Sequence, residues 1–340
     1  MHKKILVAML MMAMSVTTFV TPASIFASEA SESETKEEAV SNESSEQEKG
    51  SELAAEATVY PLTIKDKEGK EVVIEKKPEV IAVYDMVILD TLKKLGLTDL
   101  KVIGPKANIP GLLEAFPNYI EAGSMKEPDF ELINENKVEL AFISGRQKKI
   151  EKDFHELAPT LYFAADSETF FEDALATTEA VGKIFDKQAD IQAFAEEVKV
   201  KVDTLKEKVS SDDRKLLFLM VNDGNISAYG KGSRFGFFYD LLGYKLADEN
   251  IEVSTHGQEV NYEYISKTNP DMIFFMNRGK AVGKGDVQDV LSDNDLVKGT
   301  SAGQNGAIYE LDAADLYLIS GGLTSIERIV DSLLSTVYKG

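Results

Sequence analysis

The sequence predicts an α/β protein built as two α/β lobes joined by one long helix, with a ligand cleft between the lobes. Three observations predict it. Buried-strand and amphipathic-helix signals alternate along most of the chain. The stretch FELINENKVELAFISGR, residues 130–146, returns in outline 132 residues later as YEYISKTNPDMIFFMNR, residues 262–278. Between the copies lies a run with few helix breakers, in which Ile191, Phe194, Ala195, Val198, Val202, Leu205 and Val209 mark one face at helical spacing.

Taken in order, His2, Lys3 and Lys4, the apolar run Ile5 to Val20 and the small residues around Ala27 and Ala30 predict an export signal over residues 1–27. The run is short for a spanning helix, which needs ~20 residues. Cleavage is expected after Ala27 or Ala30. Residues 28–57 are mostly Ser, Glu and Ala, with ten glutamates against Lys36 and Lys49 and a net charge of −8. Such a segment cannot bury enough surface to offset its ordering entropy, so a disordered acidic tether is expected there.

An N-terminal lobe over residues 58–185 opens with YPLTIKD and EVVIEKK, which read as a hairpin around Glu68-Gly69. EVIAVYD is a buried strand, MVILDTLKKLG a helix stopped by Gly96, KVIG a short strand, VELAFIS a buried one, KKIEKDFHELAP a helix and LYFA a strand. The connecting helix spans residues 186–210 and, at ~1.5 Å per residue, reaches across about the width of a lobe. The C-terminal lobe, 211–340, repeats the order: strand KLLFLMVN, a hairpin, helices at FGFFYDLLG and YEYIS, strand DMIFFM and closing helices from Leu323 to Tyr338.

The chain has 340 residues, a net charge of −21 and a pI near 4.6, which excludes the basic field that nucleic acid binding requires. It has no cysteine, so disulfides, thiolate metal sites, a cysteine nucleophile and a lipid-modified cysteine are all excluded. Without the tether's −8 and the +2 of Lys3 and Lys4, the folded part still carries −15. An anion site in it must therefore be a local concentration of positive charge.

Arginine is scarce: Arg146, Arg214, Arg234, Arg278 and Arg328 are all there are. In both copies of the repeat a short helix carries a glutamate, Glu131 or Glu263, a buried strand follows, and Arg146 or Arg278 sits just past the strand's C-terminal end. Open α/β sheets bind ligands beyond those strand ends, so both arginines are expected to face a common cleft. A lone loop arginine ordinarily only solubilises; the repeated register argues for more. Arg234 lies in AYGKGSRFGFFYD, where Ser233 is expected to cap a helix starting at Phe235, and Lys231 adds charge to that helix N-terminus. The glycines of this stretch do not match a nucleotide-binding fingerprint.

These residues resemble a family. From about Val59 onward the chain is similar to the solute-binding proteins of ABC-type iron–siderophore importers, and most closely to the subgroup binding ferric catecholates such as petrobactin. The motifs are ISGR (143–146), GKGSRFG (230–236), STHGQEVNYEYI (254–265), FMNRGKAVG (275–283) and LYLISGGL (316–323). The resemblance implies that Arg146, Arg234 and Arg278 line the cleft, where the helix N-terminus read above would add Lys231 as a ligand contact, and that His256 and Tyr317 complete the Fe(III) shell of a tetradentate siderophore. It implies that Glu131 and Glu263 dock the permease, one per lobe. It also implies a monomer without intrinsic cofactor, whose ligand is a Fe(III)-siderophore and whose only route to the membrane is the permease.

The chemistry agrees with that transfer. Ferric iron with three catecholates carries three excess negative charges, which three guanidinium forks can neutralise while donating to the catecholate oxygens. Ferric iron is hard, suits a phenolate and accepts an imidazole. The expected function is capture of a bis- or tris-catecholate and delivery to an ABC importer, at the surface of a Gram-positive-like cell or outside it, although members there are usually lipoproteins. The alternatives are another iron chelate (hydroxamate or heme), a secreted hydrolase or a structural surface protein. No G-x-S-x-G elbow or H-E-x-x-H helix is present, so an enzyme is not expected. A zinc or manganese carrier would need more than His155 and His256.

Overall fold

The computed structural model describes residues 57–254, 256–284 and 291–339. The expected export signal and, apart from Ala57, the acidic tether lie outside the described residues. Strands β1 (Leu62–Lys65) and β2 (Glu71–Ile74) form the hairpin, with Gly69 at a φ of +78° in its turn. There follow β3 (Val80–Val83), α1 (Met86–Lys94), β4 (Lys101–Lys106), β5 (Tyr119–Ser124), α2 (Phe130–Glu135), β6 (Leu140–Ile143), α3 (Glu151–His155), β7 (Thr160–Tyr162) and α4 (Phe170–Phe185). The sheet order is β5-β4-β3-β6-β7, with every pair parallel. β6 is buried along its whole length, as a parallel strand covered on both faces must be.

Helix α5 (Gln188–Ser210) runs for 23 residues, roughly 35 Å at ~1.5 Å per residue. Its buried stripe is Ile191, Phe194, Val198, Val202, Leu205 and Val209. Each such aliphatic or aromatic side chain contributes about 1.5–3 kcal/mol when fully buried, which outweighs the charged remainder of the helix.

The C-terminal lobe contains β8 (Lys215–Asn222), β9 (Asn225–Tyr229), α6 (Phe237–Asp240), β10 (Lys245–Leu246), β11 (Gln258–Val260), α7 (Tyr262–Thr268), β12 (Met272–Asn277), α8 (Arg278–Ala281), α9 (Asp295–Lys298), α10 (Ser301–Gln304), β13 (Ile308–Glu310), α11 (Ala313–Tyr317) and α12 (Leu323–Thr336). Its sheet runs β11-β9-β8-β12-β13, with β10 also on β8; β9 pairs antiparallel with both β8 and β11, and the other pairs are parallel.

The repeat is structural. β6 lies between β3 and β7 as β12 lies between β8 and β13. α2 and α7 are capped by Asp129 and Asn261, which accept from Leu132 N and Tyr264 N, each at 2.9 Å. Both helices exit through left-handed residues, Lys137 and Asn269. Glu139 and Asp271 then each accept a backbone N–H from the start of the adjacent strand in the same lobe, at Glu79 (2.7 Å) and Lys215 (3.1 Å).

Three sequence expectations change. The helix expected from Lys148 to Pro159 shrinks to a 3-10 turn (Lys148–Ile150) and the five residues of α3, because buried Gln147 ties the preceding loop down. Ser233 does not cap a helix at Phe235: its hydroxyl donates to Gly230 O at 2.6 Å, and α6 starts at Phe237 with no side-chain cap. The close of the chain is one helix, α12, which packs against α1, α4 and α5 rather than on the C-terminal sheet. One continuous apolar core therefore runs from Ile81 and Val83 through α5 and α12 to Phe218 and Phe274.

Candidate ligand-binding site

The strand ends of both sheets meet at Tyr317. Arg146 follows β6 in a loop held by Gln147, whose Oε1 accepts from Ser144 N (3.2 Å) and Oγ (2.9 Å) while its amide donates to Met125 O. Arg278 follows β12 directly, and buried Asn277 accepts from Gly279 N at 3.0 Å to turn the chain there. Arg234 sits in the tight turn before α6.

Arg146 Nη2 and Arg234 Nη2, one from each lobe, both donate to Tyr317 O, at 2.5 and 2.8 Å. Arg278 Nε donates to Tyr317 Oη at 2.8 Å and its Nη1 to Asn222 Oδ1 at 2.9 Å. The three guanidinium carbons lie 5.5, 4.3 and 5.2 Å from the Tyr317 ring centroid in the order Arg146, Arg234, Arg278. Among the described residues none of the three is within 4.0 Å of a carboxylate, whereas Arg214 pairs with Asp212 and Arg328 with Asp90 and Asp315.

That unpaired charge sets the electrostatics. Burial pushes the Tyr317 phenol upward, but the Arg278 hydrogen bond and the charges of Arg234, Arg278 and Arg146 outweigh it and hold the group below its ordinary value. Burial, and then the neighbouring Arg234, pull Arg146 down. A cavity of about 500 Å³ opens beside them, lined by Arg146, Arg234, Tyr317, Phe163, Phe170 and Asp85 among others. Phe170 and Phe237 stack across the lobes at 4.5 Å, and Ser167 donates to the Asp240 carboxylate, which also accepts Gly232 N at 2.9 Å. A Cβ at Gly236 would sit 2.8 Å from the backbone N of Gly232 as well as 2.3 Å from Ser167 Oγ, so the tight turn requires glycine there.

Other expected site residues stand apart. Lys231 is exposed and does not line the cavity. His256 is exposed too; its loop is held by Tyr229 Oη donating to His256 O (2.8 Å) and by His256 N donating to Ser254 Oγ (3.1 Å). Glu131 and Glu263 are exposed in the first turns of α2 and α7, at matching positions of the two lobes. Sequence reasoning missed Asp85, Asn222, Gln147 and the α4 face carrying Phe170. The apolar spacing Phe170, Ala174, Val181, Ile184 was the available signal for α4.

The sequence profile of the periplasmic binding protein family matches residues 81–314, from β3 into α11. The chain belongs to the periplasmic binding protein family. This periplasmic binding protein is 39% identical over 283 residues to petrobactin-binding protein YclQ of Bacillus subtilis (strain 168), covering 82% of this chain and 89% of that one. The crystal structure of YclQ superposes with a TM-score of 0.77, at 37% identity, over 82% of this chain and 99% of that one. The ferric-anguibactin-binding protein FatB of Vibrio anguillarum is 29% identical over 282 residues, 81% of this chain and 87% of FatB. The periplasmic catecholate-siderophore binding protein VctP of Vibrio cholerae gives a TM-score of 0.75 at 28% identity, over 81% of this chain and 99% of VctP. Two α/β lobes around a cleft are thus this family's architecture as well as the one found here. Among the described residues no helix is long and apolar enough to cross a membrane.

Proposed function

We propose that this periplasmic binding protein captures a ferric catecholate siderophore of the petrobactin kind and presents it to the permease of an ABC importer. The observation that carries the reading is the convergence of Arg146, Arg234 and Arg278 on Tyr317 without an ion-pair partner among the described residues. Three fixed guanidiniums match the three excess negative charges of a ferric tris-catecholate, and their forks match its oxygens. In the free protein the Tyr317 carbonyl and hydroxyl occupy donors that the chelate would take over. The names of YclQ and VctP support the catecholate class.

With a bis-catecholate, two coordination positions on iron stay open. Tyr317, its phenol already favoured toward phenolate, fills one, and His256 closes from the rim to fill the other. Glu131 and Glu263, one per lobe on equivalent helices, are the two permease contacts. The protein acts as an exported monomer without catalytic turnover and without a resident cofactor. The likeness to FatB favours a second reading, a different ferric chelate in the same cleft.

The test is titration of the protein lacking residues 1–27 with ferric bis-catecholate, ferric tris-catecholate and ferric hydroxamate, following the iron charge-transfer band. Tight binding of the catecholates, with a band shift for the bis-catecholate alone, is the expected result. Preference for hydroxamate would overturn the ligand class.

A further inference from the structure

Asp85 is a carboxyl group in the wall of a cavity otherwise charged for an anion. It ends the loop after β3, and its Oδ1 accepts from Val87 N at 3.0 Å as the cap of α1. It is only 6% exposed, and it lines the same cavity as Arg146, Arg234 and Tyr317. Among the described residues its Oδ2 has no hydrogen-bond partner, and Arg146 is beyond ion-pair distance. The remaining ionisable group on the cavity wall, Asp166, is paired with Lys67 at 2.9 Å. Asp90, farther along α1, is held by Arg328 at 2.8 Å. As an anion Asp85 is therefore compensated by the Val87 N–H and by the diffuse charge of the guanidiniums, and an arriving chelate neutralises the second of these.

Resting on the ferric-catecholate reading, we propose that Asp85 is a specificity-determining residue that binds the chelate as the neutral acid, donating its proton to a chelate oxygen, so that capture takes up one proton. An ionised Asp85 beside a trianion would be repelled; a protonated one becomes a fourth donor. Burial has already moved the group most of the way, raising it to about 7 against the opposing pull of Val87 N–H and Arg146. The chelate's charge raises it further. Affinity is then flat below the free-state value, falls up to tenfold per pH unit between the free and bound values, and is flat again above the bound value.

The decisive variant is Asp85→Asn, which keeps an oxygen to cap α1 and a donor for the ligand but has no proton to gain. The probe is a ferric hexadentate tris-catecholate, which leaves no coordination position for Tyr317 and so no phenol proton to confuse the count. Calorimetry at pH 8 in buffers of different ionisation enthalpy should give net proton uptake by the wild-type protein and none by Asp85→Asn. Between pH 7 and 9 the wild-type Kd should rise while that of Asp85→Asn stays level and is the lower of the two at pH 9. Weaker binding by Asp85→Asn at every pH would overturn the proposal and make Asp85 an acceptor for a ligand N–H. Binding without Asp85-dependent uptake would overturn it while leaving the catecholate reading intact. No catecholate binding by either protein would remove both.

Discussion

Arg278 Nε donates to Tyr317 Oη at 2.8 Å, while Arg146 and Arg234 close on the carbonyl oxygen of the same residue. Tyr317 therefore holds three like charges together in the absence of ligand, an arrangement that stores unsatisfied positive potential rather than stability. Replacing Arg146, Arg234 or Arg278 by Ala should each weaken ferric-catecholate binding by ~1.5–3 kcal/mol, the scale of a charge-assisted hydrogen bond. Arg214→Ala is the control, because Arg214 is spent on Asp212 at 2.7 Å. Unchanged affinity in all three variants, measured by calorimetry or by the iron absorbance band, would dispose of the site.

Tyr317→Phe separates two roles of the ring. The variant keeps the backbone carbonyl and the aromatic face but loses the hydroxyl that Arg278 stabilises. Ferric bis-catecholate should bind about tenfold or more weakly, with its charge-transfer band matching that of the free complex. Ferric tris-catecholate should bind within a few-fold of the wild-type protein. Equal loss for both ligands would mean that Tyr317 acts on the arginines and not on iron.

Much of this was readable before any coordinates. The register of Glu131 and Arg146 against Glu263 and Arg278 carried the lobes and set Arg146 and Arg278 past matching strand ends, because short continuous apolar runs and the helices before them leave local marks. What stayed hidden was made by packing across the lobes. Asp85 reads in sequence as an ordinary strand end, and only its neighbours bury it. The Ser233 cap failed because residues 230–236 fold as tight turns pinned by Asp240 and by the approach of Ser167, contacts no local pattern reports. The course of α12 was equally non-local: Glu327 pairs with Lys94 of α1 and Lys201 of α5, and Arg328 with Asp90 of α1, partners more than a hundred residues away in sequence.

Glu131 and Glu263 lie outside the cavity and are exposed, so charge reversal at either should leave chelate affinity within about twofold, the range of surface substitutions. Glu131→Arg and Glu263→Arg should nevertheless cut iron-siderophore uptake by cells that depend on this protein, and the double variant should abolish it. Uptake at the wild-type rate by the double variant would show that the permease reads another surface.

Arg328 anchors α12 to the N-terminal lobe through Asp90 of α1 at 2.8 Å and to α11 through a bidentate contact with Asp315. Both carboxylates are buried, and Thr324 adds a hydroxyl bond to Asp90. Removing the cation from a buried pair leaves charges that water cannot reach, and since the Arg328 side chain is 43% exposed the penalty is taken at the low end, about 2–4 kcal/mol for Arg328→Ala. The pH dependence identifies the cause. Burial raises Asp315 to about 6 even with Arg328 beside it, so the folded state favours its protonated form. That contribution is fully present below the unfolded value and is lost as pH rises through about 6. Without Arg328 the Asp315 carboxyl rises further, so the deficit of Arg328→Ala relative to the wild-type protein should be largest above pH 7 and should shrink by pH 5, where Asp315 no longer needs a counter-charge. Urea denaturation at the two pH values measures this directly. A deficit of the same size at both would assign the loss to packing of the arginine stem on α12.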